Sequence, residues 1–188
     1  LDGTGDHFNI SSSSDWNFSI DFTVDFWVYF QTSVPASNYI INLENAAPAG
    51  GGMLFTYYSA SGWQFMYNDG AGWLKPVIGG AGGVSADTWY HMAFAREGST
   101  WKIYQDGSEI ATGTDAINNF TYSNIMFGKY GSDVFKGYID EMRISKGIAR
   151  WTSDFIPPER AYDTIGDDFF AKQDKLFSAI SVNKSGSV

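Results

Sequence analysis

The sequence predicts an all-β fold, a sandwich or barrel of about ten short antiparallel strands. Three observations predict it: a long segment with strict two-residue alternation, a series of short aromatic and β-branched runs at hairpin spacing, and no 3.6-residue apolar period before residue 160. Strand and helix patterns do not alternate, which argues against a dinucleotide-binding fold. At 188 residues, the chain has the size of one domain, or of one domain with a tail.

The clearest strand is the segment SIDFTVDFWVYF, residues 19–30. Its even-numbered residues, from Ile20 to Phe30, are all apolar, and we expect them to face a core. The odd-numbered residues are expected to face solvent or a ligand, which draws attention to Trp27 and Tyr29.

Further short runs, each ended by turn residues, are the next predicted strands: Tyr39–Leu43, Met53–Tyr58, Trp63–Tyr67, Trp73–Ile78, Trp89–Ala95, Trp101–Gln105, Tyr122–Gly128 and Val134–Ile144. The pair Asp106-Gly107 separates WKIYQ from SEIAT. This predicts a hairpin with a two-residue turn, because such turns need residues that tolerate positive φ at both central positions.

Residues 159–188 differ from the strand region before them. Pro157-Pro158 ends the last β element. We therefore expect a sandwich domain over residues 1–158 and a C-terminal docking or linker extension over 159–188. Within the extension, residues 167–182 have the apolar stripe of a short helix. A lone helix of this length is marginal in water, so we expect it to dock on its own sandwich or on a neighbouring subunit of a homo-oligomer.

Composition and charge narrow the classes of partner. The 7 Trp, 11 Tyr and 15 Phe residues supply a full aromatic core. The net charge of -9 disfavours nucleic acids and anionic membranes. Cysteine is absent, which removes disulfides and thiolate chemistry, and no apolar stretch approaches the about 18–20 residues of a membrane-spanning helix. We expect no nucleic-acid partner and no membrane insertion.

Three sequence blocks together resemble a known family. They are LDGTGDHFNI with DFTVDFWVYF, DTWYHMAFAREGSTWKIYQDGSEIA, and FKGYIDEMRISKGIARWTSDFIPP. Their order and spacing over residues 1–158 are similar to those of the concanavalin A-like lectin/glucanase superfamily, in its laminin-G-like branch. The last block is most similar to versions in phage tail, fibre and other virion proteins. The resemblance implies a two-sheet antiparallel jelly-roll sandwich.

The resemblance also implies one structural calcium ion, held where the N-terminal segment meets the C-terminal strand. The expected ligands are Asp2, the carbonyl of Gly3, and Asp140. Asp140 shares strand parity with Met142 and Ile144, so it points inward if that side faces the core. A buried carboxylate needs a pairing partner, hydrogen bonds or a cation, and calcium prefers oxygen ligands. The alternative is that Asp140 accepts backbone N–H bonds and no metal binds.

Trp63 and Trp73 are the candidate sugar-stacking residues. They flank the polar turn that contains Asn68 and Asp69, whose amide and carboxylate groups suit sugar hydroxyls. These four residues form the predicted carbohydrate-binding site. The alternative is that the tryptophans fill the core, which is the commoner outcome for large aromatic residues.

The sequence does not predict an enzyme. His91 is expected to be a packing residue with a hydrogen bond to a neighbouring strand or loop, and no partner nucleophile is evident. The Glu-x-Asp-x-x-Glu cluster of related glucanases is missing. Asp21 and Asp25 lie about 13 Å apart on one strand, too far for a catalytic carboxylate pair, and we expect both to be solvated.

The sequence thus predicts a non-catalytic, lectin-like adhesion module that binds a glycan or another surface, in a phage virion or other extracellular assembly. Its partners would be a cell-surface glycan or other virion or extracellular proteins. The alternative is a purely structural virion protein, a capsid-decorating or tail/fibre subunit without a ligand. A glycoside hydrolase is the least favoured class.

Overall fold

A computed structural model describes residues 1–11, 13–16, 18, 21–44, 52–68, 72–80, 83–115 and 124–159. One short 3-10 turn, Ser14–Trp16, precedes the first long strand. The strands are β1 Phe8–Ile10, β2 Phe22–Phe30, β3 Ser37–Glu44, β4 Gly52–Tyr58, β5 Gly62–Asn68, β6 Trp73–Gly79, β7 Trp89–Glu97, β8 Thr100–Gln105, β9 Ser108–Thr114, β10 Asn124–Phe127, β11 Lys129–Tyr130, β12 Asp133–Val134 and β13 Gly137–Lys146. Within these ranges, no helix is long and apolar enough to cross a membrane.

The long strands form two antiparallel sheets. One has six strands in the order β1-β10-β3-β4-β5-β6, and the other has five in the order β13-β2-β7-β8-β9. The hairpin β11–β12 is a separate two-stranded unit. The predicted two-sheet antiparallel jelly-roll sandwich is therefore confirmed.

The alternation of β2 builds one half of the core. Its apolar side chains, from Phe22 to Phe30, are buried against the six-stranded sheet. Phe26 meets Trp63 of β5 edge-on, with ring centroids 6.5 Å apart, and the Phe55 and Phe94 rings are 5.0 Å apart. Burying each such side chain contributes roughly 1.5–3 kcal/mol, so the aromatic pattern of the sequence supplies the main stabilising term.

The Asp106-Gly107 turn has the predicted backbone. Both residues have positive φ, 51° and 81°, and they join β8 to β9. The Phe155 backbone N–H donates to the Gly107 carbonyl at 2.9 Å. A side chain at Gly107 would collide with the Phe155 carbonyl, so the turn requires glycine for conformation and for close approach.

Residues Ile148–Pro157, here called the C-terminal strap, cross the outer face of the five-stranded sheet. The Ile148 carbonyl accepts a hydrogen bond from the Thr23 hydroxyl at 3.1 Å. Further along, the Asp154 carboxylate accepts the Glu109 backbone N–H at 2.8 Å. These bonds lie at opposite sides of the sheet, on β2 and β9, so the strap covers the strands between them.

The strap covers a polar cluster that includes Asp25, a residue that the sequence pattern had assigned to solvent. Asp25 is fully buried, and Arg143 binds its two carboxylate oxygens at 3.1 and 3.0 Å. The His91 Nε2 atom lies 3.6 Å from Asp25 Oδ2. The expectation of a solvated Asp25 is therefore wrong, because a distant segment covers this part of the sheet. Asp21 is half-buried and accepts the Gly98 N–H at 2.7 Å.

A β-bulge changes the orientation predicted for Asp140. Asp140 pairs with Trp27, but Arg143 pairs with Asp25, so two residues of β13 oppose one residue of β2. Glu141, inside the bulge, has a φ of 48°. As a result, Asp140 is exposed on the outer face rather than pointing inward with Ile144, and the predicted parity is wrong.

Leu1–Pro157 form one compact unit, and Pro158–Val188 form a second. Apart from Pro158 and Glu159, the second unit lies outside the described residues. The helix predicted over 167–182 falls in that part, and its docking stays a prediction.

Candidate functional site

Four half-buried aromatic side chains meet on the outer face of the six-stranded sheet. They are Tyr39, Tyr58, Trp73 and Tyr130, here called the four-ring cluster. The ring centroids of Tyr39 and Tyr130 are 5.0 Å apart, those of Tyr39 and Tyr58 are 6.1 Å apart, and those of Trp73 and Tyr130 are 6.0 Å apart. The cluster is therefore continuous across strands β4, β3 and β6.

Sheet register puts three of these rings on the outer face. Tyr39 pairs with Thr56 of β4, and Tyr58 lies two residues beyond Thr56 on the same side. Trp73 pairs with Asn68, the last residue of β5. The core-facing side of β5 is occupied by Trp63 and its alternate neighbours, so the ring of Trp73 and the amide of Asn68 share the opposite side.

The hairpin β11–β12 supplies the fourth ring. It starts after Gly128, whose φ is 78° and whose N–H donates to the Ile40 carbonyl at 2.9 Å. The hairpin closes through the Phe135 N–H, which donates to the Gly128 carbonyl at 2.8 Å. This fold-back carries Tyr130 between Tyr39 and Trp73.

Polar groups surround the rings. The Tyr39 and Tyr58 hydroxyls are 3.0 Å apart and share a hydrogen bond. Burial, together with the bond to Tyr58, raises the pKa of Tyr39 well above its ordinary value, so this phenol stays protonated. The Lys75 Nζ atom lies 5.9 Å from the Tyr58 ring centroid, within the range of a cation–π contact. The cluster thus offers ring faces beside hydroxyl, amide and ammonium groups.

Trp63 is not part of this surface. It is fully buried, with its ring centroid 5.0 Å from that of Tyr57 and 6.0 Å from that of Phe30. Its indole N–H donates to the Gln105 side-chain oxygen at 3.2 Å. The expectation that Trp63 stacks on a sugar is wrong, because strand parity directs its ring into the core.

The other predicted carbohydrate residues have different outcomes. Trp73 and Asn68 face each other across two paired strands, as described above, and remain candidates. Asp69 lies outside the described residues. The structure thus brings together two of the four predicted residues and joins them to three tyrosines that the sequence did not single out. The alternation of side chains along the strands that pair at Thr56 could have indicated that Tyr39 and Tyr58 share a face. No local sequence pattern indicated the fold-back of the hairpin that carries Tyr130.

The predicted calcium ligands do not converge. Asp2 forms a β-bridge with Lys136. Lys136 precedes Asp140 by four residues, so Asp2 and Asp140 are separated by about 13 Å along the strand. The Asp2 carboxylate accepts the Thr4 backbone N–H and hydroxyl at 2.7 and 2.6 Å, which lowers its pKa. The Asp140 carboxylate accepts the Glu141 N–H at 2.9 Å.

No group of three or more acidic or histidine side chains is arranged for a metal in the part of the chain that the structure describes. Asp2, Gly3 and Asp140 therefore do not fit a single ion with oxygen ligands at about 2.4 Å. Calcium binding by the chain stays a prediction, which a melting transition that rises at millimolar calcium and returns with EDTA would support.

His91 packs as the sequence predicts. It is fully buried, with its ring centroid 5.2 Å from that of Trp27 and 5.7 Å from that of Phe155. Its backbone N–H donates to the Asp106 carboxylate at 2.9 Å, which ties β7 to the hairpin turn.

An apolar cavity of about 480 Å³ lies at the open edge of the sandwich, between β1 and β13. Its lining includes Phe8, Ile10, Phe127, Ile139 and Met142. Phe8 is 68% exposed and Ile10 is 42% exposed. This edge cavity has the chemistry of a protein contact rather than of a sugar site, because few polar groups converge on it.

Comparison with known proteins identifies the family. Residues 2–150 match the model of the Laminin_G_3 family, described as concanavalin A-like lectin/glucanases superfamily. No curated protein sequence matches the chain.

Solved structures share the fold at low sequence identity. Domains LG4-5 of the mouse laminin alpha1 chain match with a TM-score of 0.60 and 14% identity, over 77% of this chain and 39% of that chain. The carbohydrate binding module CBM66 from Bacillus subtilis matches with a TM-score of 0.52 and 15% identity, over 78% and 84%. Domain 4 of the arabinanase AbnA from Geobacillus stearothermophilus, in complex with arabinotriose, matches at 0.51 and 19%, over 73% and 63%.

Proposed function

Because this chain belongs to the concanavalin A-like lectin/glucanases superfamily, we propose that it is a non-catalytic module that binds a glycan through the four-ring cluster. The observation that carries the proposal is the meeting of Trp73, Tyr130, Tyr39 and Tyr58 on one outer sheet face, beside Asn68. Sugar rings stack their C–H faces on such side chains, and their hydroxyls bond to phenol and amide groups.

Two similar structures support this class of ligand. CBM66 is a carbohydrate binding module, and domain 4 of AbnA was solved with arabinotriose. Both similarities are below 20% identity, so the ligand of this chain is inferred from its own side chains.

Two carboxylates, Asp21 just before β2 and Asp25 within it, support a non-catalytic role. A hydrolase of the glucanase type needs two acids about 5–10 Å apart that face the substrate. Asp25 is buried and held by Arg143, and Asp21 accepts a backbone hydrogen bond from Gly98. Asp25 therefore lacks the exposure that a general acid or nucleophile requires, so these two carboxylates do not form a catalytic pair.

The glycan proposal is tested by replacing Trp73 with alanine. We expect the Trp73→Ala variant to lose about tenfold or more in affinity on a glycan array and in titrations with the best hit, because large aromatic side chains dominate such contacts. Leu74→Ala is the matched control, since Leu74 is the neighbouring residue of the same strand and is 41% exposed. Unchanged binding by Trp73→Ala, or equal losses in both variants, would contradict the proposed site.

The edge cavity favours a second candidate function, that of a structural subunit in an extracellular or virion assembly. Its exposed Phe8 and Ile10 side chains suit contact with another protein. The resemblance of the Ser145–Pro158 block to versions in phage tail and fibre proteins is consistent with the same setting. If the chain binds no glycan and Phe8→Asp abolishes assembly without lowering the melting temperature, the structural function is favoured.

A further inference from the structure

A second aromatic surface lies on the opposite side of the sandwich, on the outer face of the five-stranded sheet. Tyr138, Tyr29 and Trp89 are register partners on the neighbouring strands β13, β2 and β7. We call them the aromatic triad. Trp89 is 42% exposed and Tyr138 is 52% exposed, whereas Tyr29 between them is half-buried. Two large rings are thus exposed at the Tyr29 end of β2, to one side of the part of the sheet that the C-terminal strap crosses.

The three rings pack closely on one another. The centroid of Tyr29 is 5.4 Å from that of Trp89 and 5.6 Å from that of Tyr138, and the outer two rings are 6.3 Å apart. These distances leave no space for a ligand between the rings. A ligand would instead lie on top of the exposed faces of Trp89 and Tyr138.

Asp87 fixes the position of the Tyr29 ring at the centre of the aromatic triad. Asp87 has a φ of 56°, a left-handed conformation that is uncommon for a residue with a side chain. Its Oδ1 atom accepts the Tyr29 hydroxyl at 3.1 Å and the Thr32 N–H at 3.2 Å. Its own N–H donates to the Phe30 carbonyl at 2.8 Å. Such conformations persist where the surroundings determine them, and they concentrate at binding sites.

Two exposed carboxylates border the triad. Asp87 lies beside Tyr29, and Asp140 lies two residues beyond Tyr138 on the same face, about 7 Å along the strand. Neither is in an ion pair with any residue of the described ranges. Each uses Oδ1 for the bonds given above, which leaves its Oδ2 as an acceptor for a ligand hydroxyl.

We propose that the aromatic triad is a second binding site, whose ligand is an uncharged pyranose sugar. The C–H face of the sugar stacks on Trp89 or Tyr138, and its hydroxyls donate to Asp87 and Asp140. Carboxylated and sulfated sugars are excluded by repulsion from these two carboxylates and from the net charge of -9. Such a site on the face opposite the four-ring cluster makes one domain divalent for polysaccharides. The triad site does not depend on the four-ring cluster being occupied.

The test uses the full chain in native gels that contain a neutral polysaccharide, either dextran, galactomannan or arabinogalactan, with polygalacturonate as the acidic comparison. We expect at least one neutral polysaccharide to retard the protein. We expect no retardation by polygalacturonate that depends on the aromatic triad. Trp89→Ala and Tyr138→Ala are each expected to weaken that retardation about tenfold. Asp87→Asn keeps an acceptor for Tyr29 and is expected to weaken it less.

Trp73→Ala, on the other face, is the variant that separates the two proposals, and Leu74→Ala, which changes an exposed side chain of neither site, is the matched control. Loss of neutral-polysaccharide binding in Trp89→Ala but not in Trp73→Ala supports the triad alone, and the reverse result overturns the triad site and supports the four-ring cluster. Melting temperatures confirm that each variant folds. The triad is also overturned if no neutral polysaccharide retards the wild-type chain, or if Trp89→Ala and Tyr138→Ala both behave as wild type.

Discussion

The outer face of the five-stranded sheet has two halves that share strands but differ in environment. In one half, Asp25 and His91 are fully buried under the C-terminal strap. In the other half, at the Tyr29 end of β2, Trp89 and Tyr138 are exposed to one side of the strap. Polar residues are thus buried and aromatic residues exposed on one continuous surface, against the ordinary preference of both types.

This contrast shows that strand alternation determines which face a side chain lies on, but not whether that face meets water. Asp25 and Tyr29 have the same parity on β2. What separates them is the path of Ile148–Pro157, more than a hundred residues later in the chain. A buried charge on such a face is tolerated only with paired groups, and a solvent-exposed aromatic patch indicates a binding surface.

The largest effect is expected from breaking the buried cluster. Asp25→Ala leaves the Arg143 guanidinium facing His91 without the carboxylate that both contact, and we expect a loss of about 3–5 kcal/mol in the free energy of unfolding. Urea titration followed by tryptophan fluorescence measures it. Asp21→Ala, at the half-buried residue just before the same strand, is the control and is expected to cost less than about 1 kcal/mol. Equal losses of unfolding free energy in the two variants would contradict the burial of Asp25 under the C-terminal strap.

A smaller effect is expected from loosening the strap itself. The Phe155 ring stacks on Trp151 at a centroid distance of 3.9 Å and contacts Tyr104 at 5.4 Å. Phe155→Ala is expected to cost about 2–3 kcal/mol, at or below the lower end for aromatic deletions because this ring is only partly buried. Ile156→Ala is the neighbouring control. Ile156 is 84% exposed. A change of more than about 0.5 kcal/mol in the free energy of unfolding of Ile156→Ala would contradict the packing described for the C-terminal strap.

The smallest effect is expected from alkaline titration under the strap. Burial raises the pKa of Tyr104 from 10.0 to about 12. The folded state therefore holds this proton more tightly than the unfolded chain, so stability is kept below pH 10 and is lost as the pH rises from 10 to about 12. At about 1.4 kcal/mol per pH unit, the full shift sets an upper bound of about 2.7 kcal/mol, and solvent screening lowers the expected loss of unfolding free energy to about 1–2 kcal/mol.

Tyr104→Phe isolates that contribution from the other tyrosines. The variant also loses the hydroxyl that donates to the Trp151 carbonyl at 3.3 Å, so it is expected to be slightly less stable at pH 8. Its unfolding free energy should fall less steeply between pH 10 and 12 than that of the wild type. Parallel curves for the two proteins would rule out a protected phenol at this position.

The fold was predictable because its determinants are local. The apolar parity of β2 and the Asp106-Gly107 turn depend on neighbouring residues, and both are confirmed. The burial of Trp63 follows the same parity, which the loop-based choice of sugar-binding residues overlooked. Trp73 and Asn68 were singled out because a polar turn between aromatic runs is also a local pattern, and their role in binding stays a prediction.

The remaining features depend on contacts between distant segments of the chain. The two-residue alternation of side chains within a strand cannot predict such contacts. Nothing in the sequence near Asp25 indicates that Trp151 and Phe155 pack on the same sheet face, against Ala93 and Tyr104. Likewise, the fold-back that brings Tyr130 to Tyr39 follows from Gly128 and its bond to Ile40. The exposed state of Asp140 depends on one additional residue in β13, and a uniform two-residue period cannot represent such an insertion.

That extra residue of β13 also shows where the strand can lose a residue. Deleting Glu141 would leave one residue of β13 opposite Phe26, so Asp140 would stay opposite Trp27 and Arg143 opposite Asp25. Ile144 would still face the core. A one-residue deletion in the regular part of the strand would instead turn every side chain beyond it to the other face.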